Sequence, residues 1–108
     1  MPELIPIMLL YSPFPSPQAA RDAARTLLTE KLVACCNVVP AVESHYWWKG
    51  ALTQSSEVVL WCKTSQEHAS LAAARLEAIH PYECPAIVLL SGQANQAFAI
   101  WVKESTNL

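Results

Sequence analysis

Residues 32–64 read LVACCNVVPAVESHYWWKGALTQSSEVVLWCKT, and two punctuation signals inside them decide the fold. Leu32 to Val39 is rich in β-branched and small apolar residues, and Val42 to Trp48 continues as an aromatic strand. Pro40 cannot donate to a ladder and marks a bend or bulge between them, so the two segments form one long, bent strand. Lys49-Gly50 supplies a tight turn, and Leu52 to Thr64 returns as the partner strand. The product is an unusually long hairpin.

Working outward from that hairpin, Ile5 to Tyr11 is a continuous apolar run suited to a buried central strand. Ser16 is placed to cap a helix opened by Pro17, with Ala20, Ala24, Leu27 and Leu28 as its apolar stripe and an end near Lys31. Downstream, Thr64-Ser65-Gln66-Glu67 has the spacing of a capping box, which predicts a second helix with His68, Ala72, Leu76 and Ile79 on one face. Ala86 to Ser91 reads as a short buried strand. Asn95 is then expected to cap a last helix whose apolar side is Phe98, Trp101 and Val102. The order β-α-β-β-α-β plus a C-terminal helix, with two crossover helices flanking a central hairpin, is the α+β, ferredoxin-like arrangement.

The chain has 108 residues, 53% of them hydrophobic, which fits a single domain spanning residues 1–108 and argues against a disordered segment. A net charge of −2 spread over scattered residues provides no basic patch for nucleic acid or anionic lipid, and no apolar run approaches the ~20 residues of a membrane span. Neither nucleic acid nor membrane is expected as a partner. The start, MPELIPIMLLYS, has no preceding basic residue and no small-residue cleavage pattern, so it is taken as a first strand and the protein as cytoplasmic.

Cys35, Cys36, Cys62 and Cys84 lack CxxC spacing and are expected to be reduced packing thiols, with the vicinal pair on opposite faces of a strand. His45 and His68 read as ordinary surface or interface histidines. No GxSxG, no usefully spaced carboxylate pair and no glycine-rich phosphate loop is present in a chain with two glycines, so no enzyme is expected. Tyr46, Trp47, Trp48 and Trp61 crowd the hairpin, and one terminal helix is too little to bury them all. Self-association is the simplest physical solution.

Residues 80–85, HPYECP, place an imidazole, a carboxylate and a thiol in one hexapeptide, making His80, Glu83 and Cys84 candidate metal ligands; thiolate with imidazole suits Cu(I). Pro81 and Pro85 bias His80 and Cys84 toward extended backbone, so these side chains have no helical i to i+4 convergence. The structural reading of the same residues is that Pro81 ends the helix, Tyr82 packs its ring, and Pro85 launches the last strand. His80 would then cap the helix end as a cation.

Several separated motifs in order carry a family resemblance: Leu32, Ala34, Cys35 and Asn37; Ser44, Tyr46, Trp48 and Gly50; Glu57 before Lys63-Thr64; and His80-Pro81-Tyr82. Over nearly its whole length the chain resembles the CutA family of divalent-cation tolerance proteins. The resemblance implies a homotrimer whose hairpins reach across to neighbouring subunits, similar to PII signalling proteins, and a response to divalent metal ions with weak copper binding. No cofactor is obligatory. It also implies a copper site built from the histidine of HPYECP, a glutamate beyond the second proline, and a cysteine after the first strand. Only His80 carries over: Ala86 and Ser12 stand at the other two places, and Glu83 or Cys84 would have to substitute, giving a weak site. The alternative is a PII-like module binding an unknown small ligand or partner protein in an intersubunit cleft, with Tyr46, Trp48, Glu57, Lys63 and His80 as candidate cleft residues. A purely structural platform is the third reading.

Overall fold

Seven elements follow one another in the computed structural model: β1 (Leu4–Phe14), α1 (Pro17–Thr29), β2 (Cys35–Trp48), β3 (Ala51–Thr64), α2 (Ala69–Ile79), β4 (Val88–Asn95) and α3 (Gln96–Ser105). The structure describes residues 3–107; Met1, Pro2 and Leu108, which the single-domain reading includes, lie outside the described residues. The strands form one antiparallel sheet in the order β2-β3-β1-β4. This is the ferredoxin-like topology, with α1 and α2 packed together on one face and α3 lying against β1, β3 and β4.

Local chemistry accounts for most element ends. Ser16 Oγ accepts the Ala19 amide at 3.1 Å and Pro17 opens α1. The helix closes in a Schellman motif: Lys31 takes a left-handed φ of 59°, its amide donates to Leu28, and the Leu32 amide donates to Leu27. The turn residues Lys49 (φ 49°) and Gly50 (φ 78°) both have positive φ, as a type I′ hairpin turn demands. At Pro40-Ala41 the β2–β3 register shifts, Val39 facing Val59 but Val42 facing Glu57, with Ala41 at φ 59°. The proline-marked bulge is therefore present, and it reverses which β2 side chains share a face beyond it.

Leu10, Phe14, Leu27, Leu60, Cys62, Ala72 and Leu76 form the centre of the core, all of them fully buried. β1 pairs with β3 only as far as Phe14 and Val58. Beyond that point β2 and β3 continue alone as a two-stranded arm. Trp47 and Leu52, near its tip, are 72% and 70% exposed.

Three expectations fail locally. Thr64 starts no capping box, because it is the last residue of β3 and its hydroxyl donates to the Leu32 carbonyl at 2.7 Å; Ser65 Oγ bonds His68 Nδ1 instead, and α2 begins at Ala69. The last strand runs from Val88 to Asn95 at the sheet edge, leaving Val88, Leu89 and Leu90 exposed where a buried strand over Ala86 to Ser91 was expected. Asn95 precedes α3 without a side-chain capping bond, and the helix buries Ala99 and Val102 while Trp101 stays exposed.

Candidate functional site

The fork where the arm leaves the four-stranded sheet brings together buried Ser12 with His80 and buried Glu57 with Tyr82. Phe14 ends β1, Glu57 is the first β3 residue beyond its reach, and α2 stops at Ile79 beside them. Pro81 forces His80 out of the helix into extended backbone (φ −68°, ψ 137°), which turns its ring toward the end of β1.

His80 is buried and stacks on Phe14, ring centroids 4.1 Å apart and 24° from parallel. Its Nε2 lies 3.0 Å from the Pro13 carbonyl and 3.1 Å from Ser12 Oγ, while Nδ1 accepts the Tyr82 backbone amide at 3.1 Å. An acceptor role at Nδ1 and a carbonyl at Nε2 define one neutral tautomer, with the proton on Nε2. Burial pushes the imidazole below its ordinary value, against the opposing pulls of the Pro13 carbonyl and the Glu57 charge. His80 is thus a neutral imidazole spanning two backbone groups. The expected cationic cap on α2 is not its role, since its bonds go to β1 and the following loop.

Tyr82 completes the cluster. Its hydroxyl donates to Glu57 Oε2 at 2.6 Å, and its ring lies 5.0 Å from that of His80. Burial and the Glu57 carboxylate hold the phenol well above its usual range. Glu57 is itself buried, so a phenol donor is what its carboxylate needs away from water.

Of the candidate cleft residues, the fork unites Glu57 and His80. Tyr46 lies along the arm, exposed, with its hydroxyl 3.0 Å from Ser55 Oγ. Trp48 sits beside the turn, with Lys49 Nζ 5.6 Å from its ring centre. Lys63 lies six residues along β3 from Glu57, about 20 Å away, and donates to Asn37 Oδ1 at 2.6 Å. Glu83 and Cys84 are exposed on the loop beyond Tyr82. In the sequence, Ser12 stands only where the resemblance implies a cysteine, and Tyr82 reads only as a packing ring. The contact between Ser12 and His80 spans 68 positions, a distance at which no local pattern carries a signal.

The donor set is poor for a resident metal. Both nitrogens of His80 are engaged, Glu57 is committed to Tyr82, and Ser12 offers a neutral hydroxyl. Among the described residues no group of three or more His, Cys, Asp and Glu side chains is placed to hold a metal ion. These residues do not fit a tightly held ion at the fork. The open hollow nearest the bulge, about 440 Å³, is lined by Ala41, Glu43, Gln54, Ser55 and Ser56, with no imidazole or thiol.

Sheet order, elongated hairpin and a self-satisfied polar fork define a ferredoxin-like α+β domain of the kind that carries an extended two-stranded arm. The comparisons with known proteins make this specific. Residues 8–105 match the family model described as CutA1 divalent ion tolerance protein. The chain belongs to that family. It is 37% identical to the divalent-cation tolerance protein CutA of Thermus thermophilus over 93 residues, covering 85% of this chain and 90% of that protein. It is 32% identical to the chloroplastic CutA 1 of rice, covering 94% of this chain but spanning only 58% of the rice protein. The crystal structure of CutA1 from Ehrlichia chaffeensis superimposes with a TM-score of 0.90 at 34% identity, over 94% of this chain and 96% of that one.

Proposed function

We propose that this chain is a divalent-cation tolerance module that acts without catalysis, as a cytoplasmic homotrimer in which neighbouring copies cover the arm and the outer face of β4. The observation that carries the assembly is the exposed apolar surface at two separate places. Tyr46, Trp47, Trp48 and Leu52 stand out along the arm, and Val88, Leu89 and Leu90 along the opposite edge strand. Isolated apolar residues are ordinary on a surface, but two strips of this kind on one small domain support self-association.

In this reading the fork is a rigid joint that fixes the arm's direction. Metal contact is secondary: copper or another divalent cation binds weakly and exchanges readily, through His80 with Glu83 or Cys84 as auxiliary donors. An ion at His80 must displace either the Pro13 carbonyl or the Tyr82 amide from its ring, and that competition supports low affinity. Calorimetric titration of Cu(II), and of Cu(I) under reductant, into the chain and its His80→Ala and Cys84→Ser variants tests this. Weak binding diminished by His80→Ala is expected. Tight stoichiometric binding lost in either variant would replace the proposal with a dedicated metal site. A nucleotide or metabolite whose binding survives both substitutions would instead favour a PII-like signalling module.

A further inference from the structure

Cys36 and Cys62 lie directly opposite each other on β2 and β3, with their sulfurs 3.4 Å apart. No sequence spacing announces the pair; the hairpin register creates it. Residues directly opposed across antiparallel strands have Cα atoms about 4.5–5.5 Å apart, within the roughly 4.4–6.8 Å span of protein disulfides. Both side chains point to the helix-covered face, where Cys62 is fully buried and Cys36 is half-buried at the sheet's edge strand. Cys36 is thus partly covered while Cys62 is covered completely. Cys35, on the opposite face of β2, is excluded by the alternation of the strand, and exposed Cys84 is far along the chain on another loop.

We propose that Cys36 and Cys62 form a redox couple that closes to a disulfide across β2 and β3 when a small hydroperoxide reaches Cys36. The Cys36 thiolate attacks one oxygen of hydrogen peroxide, the O–O bond breaks, and the departing hydroxide is protonated to water, leaving a sulfenic acid. The Cys62 sulfur then attacks the Cys36 sulfur, the S–O bond breaks, and hydroxide leaves as water with the Cys62 proton. Two thiols and one peroxide give one disulfide and two waters, a two-electron oxidation of the protein. Ionisation runs the right way for this order of events: the hydrogen bond from Cys62 lowers the Cys36 thiol, with help from nearby Lys63 and against desolvation, whereas that same bond and burial push Cys62 up. The partly covered Cys36 is therefore the nucleophile and the buried Cys62 resolves. Closure pins the start of the edge strand β2 to β3 within the four-stranded body, four residues along β3 from where its pairing with β1 ends at Val58.

The test is to treat the folded Cys84→Ser chain with stoichiometric hydrogen peroxide, block remaining thiols with an alkylating agent, digest with trypsin, and identify linked peptides by mass spectrometry. Residues 32–49 and 50–63 are expected as a linked pair lacking two hydrogens, with fragmentation placing the bond on Cys36 and reversal by dithiothreitol. Adding Cys35→Ser should leave the linked pair intact, and adding Cys36→Ser should reduce it at least tenfold. Full alkylation of Cys36 and Cys62 after peroxide, or a bond assigned to Cys35, would overturn the proposal. Fragment assignment on the parent chain decides the matter even if the Cys36→Ser variant folds poorly.

Discussion

The two halves of one hairpin have opposite fates. Where β3 lies beside β1, its alternate residues Val58, Leu60, Cys62 and Thr64 are at most 5% exposed. Beyond the fork, the same strand pair leaves Leu52 and Trp47 largely in water. Composition separates the halves only in part: the arm mixes Glu43, Ser44, His45, Gln54, Ser55 and Ser56 with its aromatics, yet its large apolar side chains also stay uncovered. The difference lies in cover: β1, α1 and α2 supply it to the body, whereas among the described residues the strands of the arm pair only with each other. A strand is stabilised by what packs on it, and burying a large apolar side chain such as Leu52 contributes about 1.5–3 kcal/mol only when something arrives to bury it.

The contrast breaks most sharply in the body. Phe14→Ala removes a fully buried ring that also backs His80, and urea unfolding should show a loss of about 3–5 kcal/mol. A negligible loss would mean that the body is no more self-sufficient than the arm. Tyr82→Phe probes the fork itself. It strips the donor from buried Glu57 without changing ring packing, and the expected cost is about 1–3 kcal/mol by the same assay. Glu57→Gln in addition should recover part of that loss, because a neutral amide tolerates burial better than an unpaired carboxylate.

A smaller effect is expected from pH. Because burial depresses His80 in the folded chain, its folded value lies below the unfolded value of about 6.5. The unfolded chain then binds more protons between those two values, so this contribution to stability is fully present above about pH 6.5 and declines as pH falls through the folded value. His80→Gln should flatten that decline in chemical denaturation curves; an equal slope in the variant would assign it to another group. The smallest change belongs to the body's surface, where Arg75 of α2 makes a bidentate pair with Glu30 at the end of α1. Arg75→Gln should leave the unfolding midpoint within experimental scatter, since solvent screens exposed pairs.

The body and arm were legible in the sequence to the extent that local rules govern them. Pro40 announced the bulge, Lys49-Gly50 the turn and Ser16 the first helix, each through backbone chemistry that acts within a few residues. The cover on each strand was not legible, because it depends on where the chain returns. Thr64 looks like a helix cap until Leu32 arrives to take its hydroxyl. Trp101 looks like core until α3 lies down on Ala99 and Val102. The fork was half visible: HPYECP marked the connection and its stiffness, while the bonds of His80 to Ser12 and Pro13 join segments that only the sheet order brings together.

If copies of the same chain cover the arm and the edge of β4, as proposed above, the oligomeric state must depend on the apolar residues at the arm's tip. Sedimentation equilibrium at micromolar concentration tests it most directly, comparing the parent chain with a Trp47→Ser, Leu52→Ser double variant. The expected parent species has three times the 11.9 kDa chain mass, and the variant should shift toward monomer with an unchanged far-UV circular dichroism spectrum. A folded parent that sediments as a single chain at that concentration would contradict it.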